Sequence, residues 1–214
     1  MAINITEYPN PNNSLKLRVA SGHFATSHSH INYYVDLTMT KNRLSEAKEA
    51  ARQLALKYRT SIIIDTILCL DGTEVLGACI ANELTKRGFR SMNWHNTIYV
   101  VTPEHTSGSQ LLFRDNTKPM IKGKHVLVLA SSITTGYTVL GGIEAIEYYG
   151  GETVGVSSIF SNMKEIGGHE VNSIFVADEI MDDYMNVPHS ECPLCKQGVK
   201  IDALVNTFGI SSFE

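Results

Sequence analysis

Residues 122–142 read KGKHVLVLASSITTGYTVLGG, and this stretch limits the fold more tightly than any other. Val126 to Leu129 form a continuous apolar run bounded by Lys124 and Ser131, the pattern of a strand covered on both faces. Ser131 to Thr138 is small and hydroxylated and contains Gly136. Val139, Leu140, Ile143 and Ile146 then follow at helical spacing, and Gly150-Gly151 ends the helix. Strand, small-residue loop and helix N-terminus together can make an anion site. The first amides of a helix lack partners, and the helix dipole favours negative charge there. Thr134, Thr135 and Thr138 add hydroxyl donors, and Gly136 allows close backbone approach. The same pattern also suits an ordinary strand-to-helix connection with a Ser or Thr cap.

The rest of the chain repeats that plan. Leu44 to Tyr58 has helical composition, with Leu44, Ala47, Ala51, Leu54 and Ala55 on one face. Ser61 to Leu68 is β-branched and reads as a buried strand. Asp71-Gly72-Thr73 is a turn, and Glu74 to Arg87 is a second helix closed by Gly88. Thr97–Thr102, Thr153–Phe160 and Asn172–Ala177 are further strands. Alternation at this spacing predicts an α/β fold, a doubly wound, mainly parallel sheet with helices on both faces. Ligands in such sheets lie beyond the carboxyl ends of the strands. The loops at 71–74, 103–117 and 131–138 are therefore expected to share one edge and one cleft. Residues 103–119 are long, polar and without periodicity, which suits a lid. Residues 1–14 read as a loose arm, and Leu15–Thr38 as a mixed segment ending in a strand.

Composition excludes several classes. At 214 residues the chain fits one domain with a small appendage. A formal charge of −4 leaves no basic excess for a general nucleic-acid binder. No apolar run approaches the length of a membrane span. The start, MAINITEYPNPNNS, has neither the basic nor the apolar part of a secretory signal. Four cysteines, two of them as Cys192-x-x-Cys195, suit a reducing cytoplasm better than a disulfide framework. His189, Cys192 and Cys195 can supply three ligands to a structural zinc, with Cys69, Cys79 or another residue as the fourth. They also fit two thiols in a C-terminal turn. His23, His28 and His30 read as part of a polar loop, since no carboxylate or cysteine stands nearby at ligand spacing.

Several of these stretches resemble type I phosphoribosyltransferases, and orotate phosphoribosyltransferases most closely. Ile133-Thr134-Thr135-Gly136-Tyr137-Thr138 after a VLVL strand is similar to the family's phosphoribosyl-pyrophosphate (PRPP) loop. GHFATSHSHINYYVDL resembles its N-terminal hood, with one deletion and with His28 and Ile31 where the pattern has glycine and serine. C-P-L-C-x-x-G-V resembles the tail of one branch. The resemblance runs from Gly22 to Lys200. It implies that Ser132 to Thr138 (Ser132, Ile133, Thr134, Thr135, Gly136, Tyr137, Thr138) hold a 5′-phosphate. It implies that Asp71, Gly72, Thr73 and Glu74 hold pyrophosphate, and that Phe24, Thr26, Ser27, His30 and Tyr34 cover a base. It implies a hood and arm over 1–40, a core over 41–182, a packed tail over 183–214, and a homodimer.

The chain departs from the family where charge is needed. The acidic pair that precedes the loop in the family falls at Ala130 and Ser131. The strand end Tyr99–Thr102 carries no cation, and the 103–119 loop offers only His105, Arg114 and Lys118. The expected function is binding of a phosphorylated ribose or nucleotide, with transferase activity weak or lost. An active, magnesium-dependent enzyme joining orotate or another base to PRPP is the alternative. A regulatory or structural subunit is the third.

Overall fold

The computed structural model describes residues 4–11, 13–86, 91–94, 97–106 and 110–213. The centre is a six-stranded sheet. From one edge to the other its strands are Glu165–Ile166, His169–Val176, Glu152–Ser161, His125–Ile133, Thr66–Cys69 and Tyr99–Val101. All neighbours run parallel except the first pair. Alternation along the His125–Ile133 strand sorts its side chains to two faces. Leu127 and Leu129 pack with helices Leu44–Ala55 and Glu74–Leu84. Val126, Val128 and Ala130 pack with helix Tyr137–Tyr148 on the other side.

A second six-stranded sheet forms the cap and draws on both ends of the chain. Lys16–Ala25 and His30–Asp36 make an antiparallel pair. Thr6–Pro9 adds to Lys16–Ala25, so the expected loose arm is in part a strand. From the tail, Asn186–Val187 pairs with His30–Asp36, and Ala203–Asn206 runs parallel to Lys16–Ala25. Ala203–Asn206 and Gly209–Ser212 close the sheet as a hairpin. A tail segment thus completes a sheet that the N-terminus begins.

Some expected boundaries shift. The strand expected from Ser61 starts at Thr66, because the Asn93 side chain accepts from Ile64 N–H and donates to Ile62 O, occupying the preceding backbone. The Leu44–Tyr58 helix stops at Ala55, although Tyr58 stays buried with its hydroxyl 2.9 Å from Ser157 Oγ. The second helix is described to Leu84; Arg87 and Gly88, expected to end it, lie outside the described residues. The 103–119 segment, expected to lack structure, contains paired strands Glu104–His105 and Leu111–Leu112 and a short 3-10 turn at Lys118–Met120.

Candidate ligand-binding and metal sites

A cavity of about 340 Å³ lies between the carboxyl edge of the core sheet and the cap. Its core side is lined by Ser131, Ser132, Thr134, Thr135, Thr138 and Asp71. The hood contributes Thr26, Ser27, His28 and Tyr34, and the tail hairpin contributes Asn206, Thr207 and Gly209. Pockets of roughly 300–1,000 Å³ are typical of small-molecule sites. The wall is rich in hydroxyls, and Asp71 is its only carboxylate among the described residues.

The phosphate-type loop divides by residue. Gly136 is the N-cap of the Tyr137–Tyr148 helix with φ +77°, and no side chain caps that helix. A Cβ there would come 2.4 Å from Ile166 Cδ1, so the turn needs glycine for both reasons. Thr134, Thr135 and Thr138 line the cavity with Ser132. Ile133, expected in the phosphate set, is a core residue packed with Val139 and Ile166. Tyr137 points outward, 64 % exposed, with its ring 5.6 Å from that of His28. The two positions where the resemblance leads one to expect an acidic pair also separate. Ala130 is sealed in the apolar core, whereas Ser131 faces the cavity.

The loop after Thr66–Cys69 is arranged differently. Thr73 is fully buried, and its hydroxyl donates to Leu70 O at 2.8 Å and contacts Leu129 O at 3.2 Å. Its hydroxyl is therefore committed to backbone carbonyls. Glu74 accepts from Thr102 Oγ1 at 3.0 Å, outside the cavity lining. Gly72 has φ +71° and supplies the turn. Of the four residues at the expected pyrophosphate loop, Asp71 lines the cavity. Burial raises its carboxyl pKa, opposed by the charges of Lys41 and His105.

Lys41 belongs to none of the sequence motifs. It sits in a short helix, Thr38–Asn42, with nothing in its spacing to mark it. Its ammonium donates to Asp71 O at 2.9 Å and to Thr207 O at 3.1 Å, joining core loop to tail hairpin beside the cavity. Burial lowers its pKa, opposed by Asp71 and Glu74. The expected lid cations are engaged elsewhere. Arg114 makes two 2.6 Å bonds to Glu104, and Lys118 pairs with Asp115 at 2.7 Å.

The hood set also divides. Thr26, Ser27 and Tyr34 line the cavity. Thr26 Oγ1 donates to Ser29 O at 2.9 Å and fixes the turn, and burial pushes the Tyr34 phenol up to about 12. Phe24 instead fills the cap core, edge-on to Tyr34 at 6.2 Å. His30 faces away from the cavity into a cluster with His23, Cys192 and Cys195. The ligand-type atoms of these four all lie within 4.8 Å of one another. They can hold a metal ion such as zinc. This corrects two expectations. His23 and His30 are not part of a polar loop, and His189 is not one of the four; its ring stands 5.1 Å from that of His30. Cys69 and Cys79 are core residues in the cluster with Leu76 and Ile80. The fold joins histidines and cysteines far apart in the chain, a separation that local spacing does not reveal.

No protein-family model matches the chain. It is 26% identical over 187 residues to an orotate phosphoribosyltransferase of Chlorobaculum parvum, covering 85% of this chain and 86% of the relative. Among solved structures it superposes on the orotate phosphoribosyltransferase of Mycobacterium tuberculosis H37Rv with a TM-score of 0.53 at 19% identity, over 77% of this chain and 93% of that one. It also superposes on Leishmania donovani UMP synthase with a TM-score of 0.56 at 18% identity, covering 75% of this chain but 34% of that longer one. Cap, cavity, glycine-capped loop and these similarities agree: the chain has the type I phosphoribosyltransferase fold and is a distant homologue of the orotate phosphoribosyltransferases over most of its length.

Proposed function

We propose that this chain binds a 5′-phosphorylated ribose or nucleoside monophosphate in the cavity between core and cap, and that its transferase chemistry is weak or lost. The observation that carries this reading is the cavity wall itself. Ser131, Ser132, Thr134, Thr135 and Thr138 converge on one side, opposite Thr26, Ser27 and Tyr34. The 5′-phosphate sits on the 134–138 loop and the uncapped helix N-terminus, where amides and hydroxyls donate to an anion. The ribose or base faces the hood. In this arrangement 41–182 is the ligand-binding core, 1–40 and 183–214 together form its cap, and the chain pairs as a homodimer.

The site fits a magnesium-bound pyrophosphate poorly. Magnesium is held by carboxylates and phosphate oxygens, and Asp71, beside Lys41, is the only carboxylate of the lining among the described residues. Transfer also requires charge stabilisation of the departing pyrophosphate, for which preorganised cations are commonly worth several kcal/mol, about 3 or more. Arg114 and Lys118 are already paired with acids. The names of the relatives favour a second reading, an active enzyme that joins orotate to PRPP with magnesium.

Calorimetric titration with uridine and orotidine monophosphates and PRPP, with and without magnesium, beside a pyrophosphate-release assay, separates the two. Monophosphate binding that persists in chelator, with no turnover, supports the proposal. Rapid orotate-dependent release of pyrophosphate overturns it.

A further inference from the structure

His23, His30, Cys192 and Cys195 stand where strand, turn and tail meet, and their geometry is that of a closed metal site. His23 Nδ1 lies 2.9 Å from Val199 O. A carbonyl only accepts, so Nδ1 carries the proton and Nε2 of the neutral ring presents a lone pair to the cluster. An outer hydrogen bond that fixes the tautomer in this way is a regular feature of metal-bound histidine. Nε2 is 2.9 Å from His30 Nδ1, 3.5 Å from Cys192 Sγ and 3.6 Å from Cys195 Sγ. His30 Nδ1 is 3.3 Å from Cys195 Sγ. Zinc bonds of about 2.0–2.1 Å to nitrogen and 2.3 Å to sulfur make a tetrahedron with edges of roughly 3.3–3.8 Å. These four of the six edges need to open by a few tenths of an ångström at most, and the other two lie within 4.8 Å. His23 is 1 % exposed, Cys192 is fully buried and Cys195 is partly exposed, and four protein ligands fill a tetrahedral structural site.

The two histidines come from the strands Lys16–Ala25 and His30–Asp36; Cys192 is the N-cap of the short helix Pro193–Lys196 and Cys195 lies within it. Between the histidines runs the turn that places Thr26, Ser27 and His28 on the cavity. Seven residues beyond Cys195, Asp202 exchanges backbone and side-chain hydrogen bonds with His23, and the Ala203–Asn206 strand leads to the hairpin tip on the same cavity. Gly22 permits this approach, since a Cβ there would lie 2.7 Å from Asp202 Oδ2. We propose that a zinc ion held by His23, His30, Cys192 and Cys195 fastens the C-terminal tail to the hood and thereby holds both cap walls of the cavity in place.

The 214-residue chain, purified from zinc-supplemented medium, is expected to carry about one equivalent of zinc by mass spectrometry. Replacing that zinc with cobalt(II) should give intense visible bands of a tetrahedral ion and a near-ultraviolet thiolate transition. Absence of both metal and cobalt spectrum overturns the site. The double variant C192S/C195S should lose zinc roughly tenfold or more, while H189A keeps it; zinc loss in H189A overturns the ligand set. Hydrogen exchange of wild-type protein before and after chelation tests the staple without any bound nucleotide. Protection should fall across 23–31 and 199–212 while the strands 66–69 and 125–133 keep theirs. No change, or an even loss over the whole chain, overturns the role assigned to the ion. Recovery on adding zinc back is expected in the wild type and not in C192S/C195S.

Discussion

Two strands of the core sheet, Thr66–Cys69 and His125–Ile133, each run into a short polar loop and then a helix. In sequence the two units look alike: apolar strand, Thr and Gly, helix. In the fold they differ in where the hydroxyls go. Thr73 is turned inward and bonded to the carbonyls of Leu70 and Leu129, so it ties its own loop to the neighbouring strand. Thr134, Thr135 and Thr138 face the cavity. One loop spends its polar groups on the scaffold and presents a single carboxylate, Asp71. The other presents several neutral donors. A strand–loop–helix pattern thus marks an edge of the sheet, and side-chain partners decide which hydroxyls face the cavity.

The largest expected effect tests the parity of the strand behind the second loop. Ala130→Asp places a carboxylate among Leu68, Val128 and Val139, and should destabilise by about 3 kcal/mol or more in urea unfolding. Ser131→Asp should fold normally and bring a carboxylate to the cavity. Restored pyrophosphate release in Ser131→Asp would show that one carboxylate is the main loss. Equal stability of the two variants would break the assignment of faces.

Next is the contrast between the threonines. Thr73→Val leaves two backbone carbonyls without a hydroxyl donor and should cost about 1–2 kcal/mol, with monophosphate affinity unchanged. The double variant Thr134→Val/Thr135→Val should do the reverse. Its stability stays within about 0.5 kcal/mol, and monophosphate affinity falls about tenfold in calorimetry, as expected for losing one or two hydrogen bonds to a charged group. A stability loss in the second variant matching that of Thr73→Val would erase the distinction.

A smaller effect concerns Asp71, whose carboxyl pKa is raised by burial. A carboxyl with a raised folded-state pKa holds its proton more tightly in the native state. Its favourable contribution is complete below the unfolded carboxyl pKa and is lost as pH rises through the folded value. The stability of wild type relative to Asp71→Asn should therefore fall as pH rises over that window, read from urea midpoints at several pH values. Asn also tolerates the φ of +57° found there. Phosphate binding should strengthen in Asp71→Asn, because the negative charge on the cavity is gone. The smallest effect is at the exposed Glu104–Arg114 pair, where Glu104→Gln should leave the melting temperature unmoved.

The sequence by itself determined the parallel α/β core, because four-residue apolar runs alternating with amphipathic helices leave few other ways to bury their surface. It also determined the glycine turn at 136 and the lack of a carboxylate at 130 and 131, since these are statements about residue identity. Tertiary structure decided the rest. Thr73 and Thr134 are equal as letters, and only packing assigns one to the scaffold and the other to the cavity. Lys41 became part of the site only when the tail hairpin brought Thr207 O to its ammonium. His23 and His30 have no ligand-spaced partner nearby in sequence, whereas Cys192 and Cys195 reach them through a cap sheet built from both ends of the chain. Local periodicity fixes which segments become strands and helices. A site assembled from segments over 150 residues apart depends on which strands pair, as when the Ala203–Asn206 strand joins Lys16–Ala25 and the cysteines meet His23 across 169 and 172 residues.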